Sequence, residues 1–591
     1  MKEFIKNVFS SALGFFLALG LICLIGIIFL IGSIASTSSK PTIKSNSVLY
    51  IPLSGIMQEQ AVDDPLSQLM GNQDGSLALN QACQAIKAAK GMSAIKGIYL
   101  EAGMMQSDPA SLEELRKYLL DFKKSGKFVL SYGETYTQGG YYVCSVADKI
   151  MLNPVGEVDW KGLSTQPMFF KDMLQKFGIK MQVFKVGTFK SAVEPFTNTE
   201  MSEANRKQVT EYLGSIWNNF VAGVSASRKI PVDSLKSYAD QFMGFAPAQD
   251  LVKKHMVDTL AYIDDAKSVL KRYVGIDEDD KLNLVSPSEL TAYTKDDVST
   301  TTSNQVAVYY AAGDIVDEDV QGYTNQSLIC APKVVKDMAS LADNEDVKAV
   351  VLRINSGGGS ANASEQIWHA IKELSKQKPV VVSMGGMAAS GAYYMSSASQ
   401  YIFAEPTTLT GSIGIFGIIP DVSGLLKDKL GLKFDGVKTN KMSDFGNISR
   451  PFNEEEKALL QHRIERGYNL FVNRVAGGRK MKQAQVDSIG QGRVWTGEQA
   501  IKIGLVDRLG TLEDAIAYAA KLVNMGDKYT PVEYPVAQPW YISLINQEKD
   551  SYYESRMRAM LGIYYEPLKW LKTVTRQSVI QARLPYSPNI Y

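Results

Sequence analysis

The chain has 591 residues, 63 basic and 62 acidic side chains for a formal charge of +1, and 45% hydrophobic residues. That length calls for two or more domains, the composition excludes a disordered chain, and the near-cancelled charge offers no basic surface for nucleic acid. Four cysteines, at 23, 83, 144 and 330 with no CxxC spacing, make a zinc site or a disulfide framework unexpected, so neither metal nor cofactor is anticipated.

The first element is apolar. Val8 to Ala35 carries no charge, and "LGFFLALGLICLIGIIFLIG" alone supplies twenty residues. This spans a bilayer core and exceeds the apolar stretch of a cleavable signal peptide. Lys2 and Lys6 precede it, which keeps the N-terminus in the cytoplasm. Residues 1–40 are therefore expected to be a stub and single transmembrane anchor, with the rest of the chain across the membrane. A long signal peptide cut near Ser33-Ile34-Ala35 is the alternative. Residues 63–80 suggest a loop or flexible insertion.

Beyond the anchor the chain contains itself twice. "GKFVLSYGETYTQGGYYVCSVADKIMLNP" (126–154) aligns without a gap on "KPVVVSMGGMAASGAYYMSSASQYIFAEP" (378–406), at an offset of 252. The same offset sets "IKGIYLEAG" (95–103) on "VKAVVLRIN" (347–355). Each copy runs strand, glycine-rich turn, helix, strand, glycine-rich turn, helix, and such alternation predicts parallel sheets with crossover helices. The expected fold class is α/β, in two tandem homologous halves over 41–285 and 306–530. A polar Ser/Thr-rich stretch (280–305) supplies a linker at 286–305. The aromatic and basic tail, 531–591, is compatible with an amphipathic interfacial segment or with a helix packed on its own or a neighbouring subunit.

The copies differ where chemistry would sit. Ser390, in "GGMAASGAYYMSS", corresponds to Gln138 in the first half. After the second unit, "GIKMQVFKVGTFKSAVEPF" (178–196) meets "GLKFDGVKTNKMSDFGN" (431–447) at an offset of 253, setting Lys190 against Ser443, with Lys441 two places away. One half keeps a serine without the lysine, and the other a lysine without the serine. A serine hydroxyl needs a base. His255, His369 and His462 sit in helical or charged segments away from the glycine turns. A lysine serves if burial lowers its pKa. Ser191 lies within reach of such an amine, and Glu194 would raise its pKa by pairing with it. "INSGGGSA" (354–361) offers backbone N–H groups for an oxyanion at Gly358 and Gly359. It is also open to a phosphate reading, although no P-loop motif is present.

"RINSGGGSANASE", "GGMAASGAYYMSSAS", "TGSIGI" and "VGTFKSAVEPFTNTEMSEANR" resemble the long form of the signal peptide peptidase A (protease IV) family, over most of residues 45–530. The resemblance implies a ClpP/crotonase-type fold and a membrane-anchored serine protease with a Ser–Lys dyad. Carried over, Ser390 is the nucleophile, Lys190 the general base and Gly358 the leading oxyanion donor. Gly357 departs from the family, whose members often carry proline there. Also implied are digestion of cleaved signal peptides and other apolar peptides at the bacterial inner membrane, with the catalytic region periplasmic, and a homotetramer forming a bowl against the bilayer. The rivals are an inactive membrane scaffold of the same fold and an acyl-CoA-processing crotonase-type enzyme.

Overall fold

The computed structural model describes residues 41–61, 76–295, 304–318, 328–535 and 580–583, with scattered helical positions among the first 22. The apolar run at 8–35 lies mostly outside the described residues, as does most of 63–80 and of the tail. Among the described residues no helix is long and apolar enough to cross a membrane.

The first half is a parallel sheet. Strands β1 (Ser47–Ile56), β2 (Ile95–Gln106), β3 (Phe128–Tyr136), β4 (Lys149–Val158), β6 (Thr259–Leu260) and β7 (Asn283–Val285) lie in the order β6-β4-β3-β2-β1-β7. The second half repeats the plan. Here β8 (Gln305–Ala312), β11 (Val347–Ser356), β13 (Val380–Ala389), β14 (Tyr401–Ala404), β18 (Arg508–Leu509) and β19 (Thr530–Tyr534) follow the order β18-β14-β13-β11-β8-β19. The central strands are covered on both faces, so Ile98–Leu100 and Ala349–Leu352 are buried without alternation.

The duplication extends to single contacts. Tyr142 stacks on Phe220 with ring centres 4.2 Å apart, and Tyr394 packs on Phe471 at 4.5 Å. Tyr141 donates to the Met256 carbonyl at 2.7 Å, and Tyr393 to that of Leu505 at 2.8 Å. The tyrosine pair of each motif is therefore a packing device. It fixes the short helix after the turn against a helix of 26 residues, Glu203–Arg228 in one half and Glu454–Arg479 in the other.

Two boundaries move. The stretch 286–305 is only in part a connector, because Pro287–Lys295 is helical; β7 just before it closes the first sheet beside β1. Ser286 and Glu289 cap this helix reciprocally, Glu289 Oε2 accepting from the Ser286 N–H at 2.8 Å and Ser286 Oγ from the Glu289 N–H at 3.2 Å. Nor does the tail start at 531, since β19 supplies the edge partner that β8 needs. Within the tail, β20 (Ile580–Arg583) is a strand inside the second half.

A third sheet joins the halves. It contains β5 (Lys180–Lys185), β9 (Asp314–Val316), β10 (Leu328–Cys330), β12 (Gly358–Ser360), β16 (Phe416–Asp421) and β20, ordered β10-β9-β12-β20-β16-β5. First-half β5 pairs antiparallel with second-half β16, from Lys180↔Asp421 to Lys185↔Phe416. Phe184 of β5 is buried in the second half's core.

Candidate active site

Strand β13 ends at Ala389, and the chain turns at Ser390 into the helix Gly391–Ser396. Ser390 has φ +56° and ψ −114°, a conformation costing a non-glycine residue about 1–3 kcal/mol. It is held by its N–H donating to the Gly411 carbonyl and its own carbonyl accepting from the Tyr394 N–H, both at 2.8 Å. A strained strand-to-helix turn at a serine is the geometry that nucleophile elbows use. The matching turn of the first half is unstrained. Gln138 starts a regular helix capped by Thr137, and its amide binds the backbone of Lys161 and Gly162.

Lys190 arrives from the other half. After β5 the chain turns back, the Phe189 N–H donating to Gln491 O at 2.9 Å. Gln208 ties this loop to both halves, donating to Phe189 O and Ser191 Oγ at 3.1 Å and accepting from the Val494 N–H at 3.2 Å. Lys190 Nζ thereby lies 2.8 Å from Ser390 Oγ, 3.0 Å from Ser412 Oγ and 3.2 Å from Ser412 O. Side-chain exposure at Lys190 is 1% and at Ser390 is 0%. Burial alone pulls the amine down to about 7. Among the described residues no carboxylate opposes this, and Glu194 is engaged elsewhere, accepting from Ser202 Oγ at 2.6 Å and Asn205 Nδ2 at 3.0 Å. A neutral amine at this distance can take the serine proton.

The remaining candidates are not brought to the site. Lys441 and Ser443 are exposed, and Lys441 pairs with Glu455. The three histidines are exposed as well.

The glycine turn of the second half faces Ser390. Gly358 has φ +102°, and a Cβ there would fall 2.1 Å from the Ala582 carbonyl oxygen and 2.8 Å from the Gly391 nitrogen. A Cβ on Gly391 would fall 3.1 Å from the same oxygen and 3.2 Å from the Gly359 nitrogen. The Ala582 carbonyl oxygen and the backbone nitrogens of Gly359 and Gly391 therefore lie close together where a side chain on Gly358 or Gly391 would stand. The Gly358 N–H also donates to Ser356 Oγ at 3.1 Å. In the first half the equivalent positions are Gln106 and Ser107, and β2 simply continues alongside β1 to Gln106.

Sequence reasoning missed Ser412 and Gly391. Gly391 had a signal, since it opens the helix after the serine, where N–H groups are unpaired. Ser412 lies in the quoted "TGSIGI", but its approach to Lys190 depends on how the halves meet. Gly492 was also missed. Its φ is +78°, and a Cβ there would lie 2.6 Å from Lys190 Cβ and 2.7 Å from Lys190 Cα. Gly492→Ala is therefore expected to displace the lysine and lower kcat by about 10²-fold, while circular dichroism stays that of the parent.

The model for peptidase family S49 matches residues 121–277 and 372–526, one segment per half, and a Clp protease model matches 317–408. "Protease 4" of Haemophilus influenzae is 35% identical across 83% of this chain and 82% of its own length. "Protease 4" of Salmonella typhi is 38% identical across 78% and 74%. The chloroplastic serine protease SPPA of Arabidopsis thaliana is 30% identical across 83% and 72%. With one such segment in each half and relatives matched over most of their length, the chain belongs to peptidase family S49.

Proposed function

We propose that this serine protease works through a dyad split between its halves, with Ser390 as nucleophile and Lys190 as general base. The observation that carries the reading is the 2.8 Å contact between Lys190 Nζ and Ser390 Oγ in a fully buried setting. Lys190 takes the hydroxyl proton as Ser390 Oγ attacks the scissile carbonyl, and the resulting ammonium gives it to the leaving amine. Water then repeats the sequence on the acyl-enzyme. The N–H groups of Gly358, Gly359 and Gly391 are the proposed oxyanion donors, and Ser412 orients the amine.

The proposed substrates are apolar peptides, signal peptides cleaved from secreted proteins among them. An inner-membrane location, with the catalytic halves periplasmic, is supported by the uncharged run at 8–35 behind Lys2 and Lys6. Assembly into a homotetramer is supported by the exposed apolar side chains of Leu430, Leu432, Phe434 and Val437, which follow β16.

The test is kcat/KM for an apolar peptide ester against pH. Only the neutral amine accepts a proton, so activity rises with pH, levels off above about 7, and falls about tenfold per pH unit below it. A profile flat from pH 5 to 9, on the order of two units to either side, would remove Lys190 as the base.

A further inference from the structure

Lys190 is held in place by an amide that bonds to neither member of the dyad. Gln208 lies on the helix Glu203–Arg228 of the first half and is 2% exposed. Its Nε2 donates to Phe189 O and Ser191 Oγ, both at 3.1 Å, so it holds the residue on either side of the lysine. Its Oε1 accepts from the Val494 N–H of the second half at 3.2 Å. The stretch around Val494 forms the lysine's other wall. Gly492 stands against Lys190 Cβ, and Arg493 O accepts from the Ser412 N–H at 2.7 Å. A backbone N–H only donates and a carbonyl only accepts, so the position asks for a donor on one side and an acceptor on the other.

The bonds continue away from the site. Gln208 Nε2 also lies 3.0 Å from Asn205 Oδ1, and Asn205 Nδ2 donates to Glu194 Oε2 at 3.0 Å. In this chain two neutral amides separate the buried carboxylate of Glu194 from the lysine loop. The other charges on the elements packed here are paired or in solvent. Glu211 pairs with Arg493, whose guanidinium lies over Phe189 at 5.0 Å and Trp495 at 4.1 Å. Asp487 accepts from Tyr468 Oη and Gln491 Nε2, while Lys185, Arg206 and Lys207 are exposed. The second half has no counterpart to Gln208. Its equivalent helix is in register from the caps Ser202 and Asn453, which sets Gln208 against Leu459, and Leu459 is 53% exposed. The buried amide occurs only in the half that carries the lysine.

We propose that Gln208 is a positioning residue for the reaction, its amide fixing the Lys190 loop between the halves and keeping that loop free of negative charge. The proposal rests on the Ser390–Lys190 reading. Glutamate at 208 has nearly the same size but sets an oxygen against Phe189 O and a negative charge one residue from the amine, which favours the ammonium. Leucine removes both attachments without adding charge, so the amine loses its position but not its basicity.

The test is kcat and KM for an apolar peptide ester from about pH 5 to about pH 9, in wild type, Gln208→Glu and Gln208→Leu, with circular dichroism of each. Gln208→Glu is expected to move the rising limb of kcat/KM upward by about one pH unit or more and to approach wild-type activity at the alkaline end. Gln208→Leu is expected to lower kcat about tenfold, with KM and the limb unchanged. A limb at the wild-type pH in Gln208→Glu, or a wild-type kcat in Gln208→Leu, would overturn the proposal and leave the dyad standing. A wild-type profile with no limb would overturn the dyad and this proposal with it. If Gln208→Leu loses the parental dichroism, the Gln208→Glu limb decides alone. Loss of that dichroism in both variants would assign Gln208 to folding and overturn the positioning role.

Discussion

Ser390→Ala and Lys190→Ala are each expected to lower kcat/KM for a peptide ester by about 10³-fold or more. The double variant should be no worse than the poorer single one, because serine and lysine act as one unit. The losses have different physical origins. Ser390→Ala removes the atom that forms the acyl bond and leaves Lys190 with Ser412 as its neighbour at 3.0 Å. Lys190→Ala leaves the serine but removes its proton acceptor, and among the described residues no histidine or second lysine hydrogen-bonds Ser390 to replace it. Neither residue is part of the large hydrophobic clusters of either half, so near-parental melting temperatures are expected. Full activity in the double-variant background would place the chemistry elsewhere, and additive losses would argue that the two residues work independently.

Arg353→Met is expected to destabilise the joined halves by about 3–5 kcal/mol, because removing one partner strands buried charge. Arg353 lies on β11 with 2% exposure, and both of its carboxylate partners come from the first half. Its Nε meets Glu59 at 2.8 Å and its Nη2 meets Glu114 at 2.7 Å, while Nη1 donates to Ser383 Oγ at 3.1 Å. Glu59 also accepts from Asn355 Nδ2 at 2.9 Å, and Glu114 from the Leu512 N–H at 2.9 Å. The guanidinium thus fastens the first half to the strand that leads into the glycine turn. Replacing Arg353, Glu59 and Glu114 together by Met, Gln and Gln should recover much of the loss, since no uncompensated charge then remains. Urea denaturation read at the first transition measures both effects, because a chain with two cores need not unfold in a single step. Activity should fall at the same urea concentration, as separation of the halves takes Lys190 away from Ser390.

The duplicated α/β plan was legible because strand positions survive at a nearly constant offset. Ile95 and Val347 open β2 and β11, and Phe128 and Val380 stand at the starts of β3 and β13. Ser390 and Lys190 were legible for the opposite reason. They break the repeat, and a half that lacks either group can be completed only by the other. What escaped was whatever depends on contact between distant segments. The pairing of β5 with β16 carries Lys190 across to Ser390, yet neither strand's sequence names its partner. Ser412, Gly492 and Arg353 acquire their roles only once that pairing exists.

The mistaken linker is a different case, because the signal was present. "SPSE" at 286–289 is a capping box with proline at the first helical position, but the Ser/Thr content of the stretch outweighed it. Leu290 and Thr291 are buried where that helix packs on Leu79–Gly91.

The measurement that bears most directly on a dyad shared between the halves is acyl-enzyme trapping with an apolar peptide ester. The protein is quenched in acid within the first turnover, digested, and mapped by mass for the acylated residue, in wild type and Lys190→Ala. The expected result is an acyl group on Ser390 in wild type and almost none in Lys190→Ala at the same time point. An adduct on any other residue, or equal acylation of Ser390 without Lys190, would contradict the account.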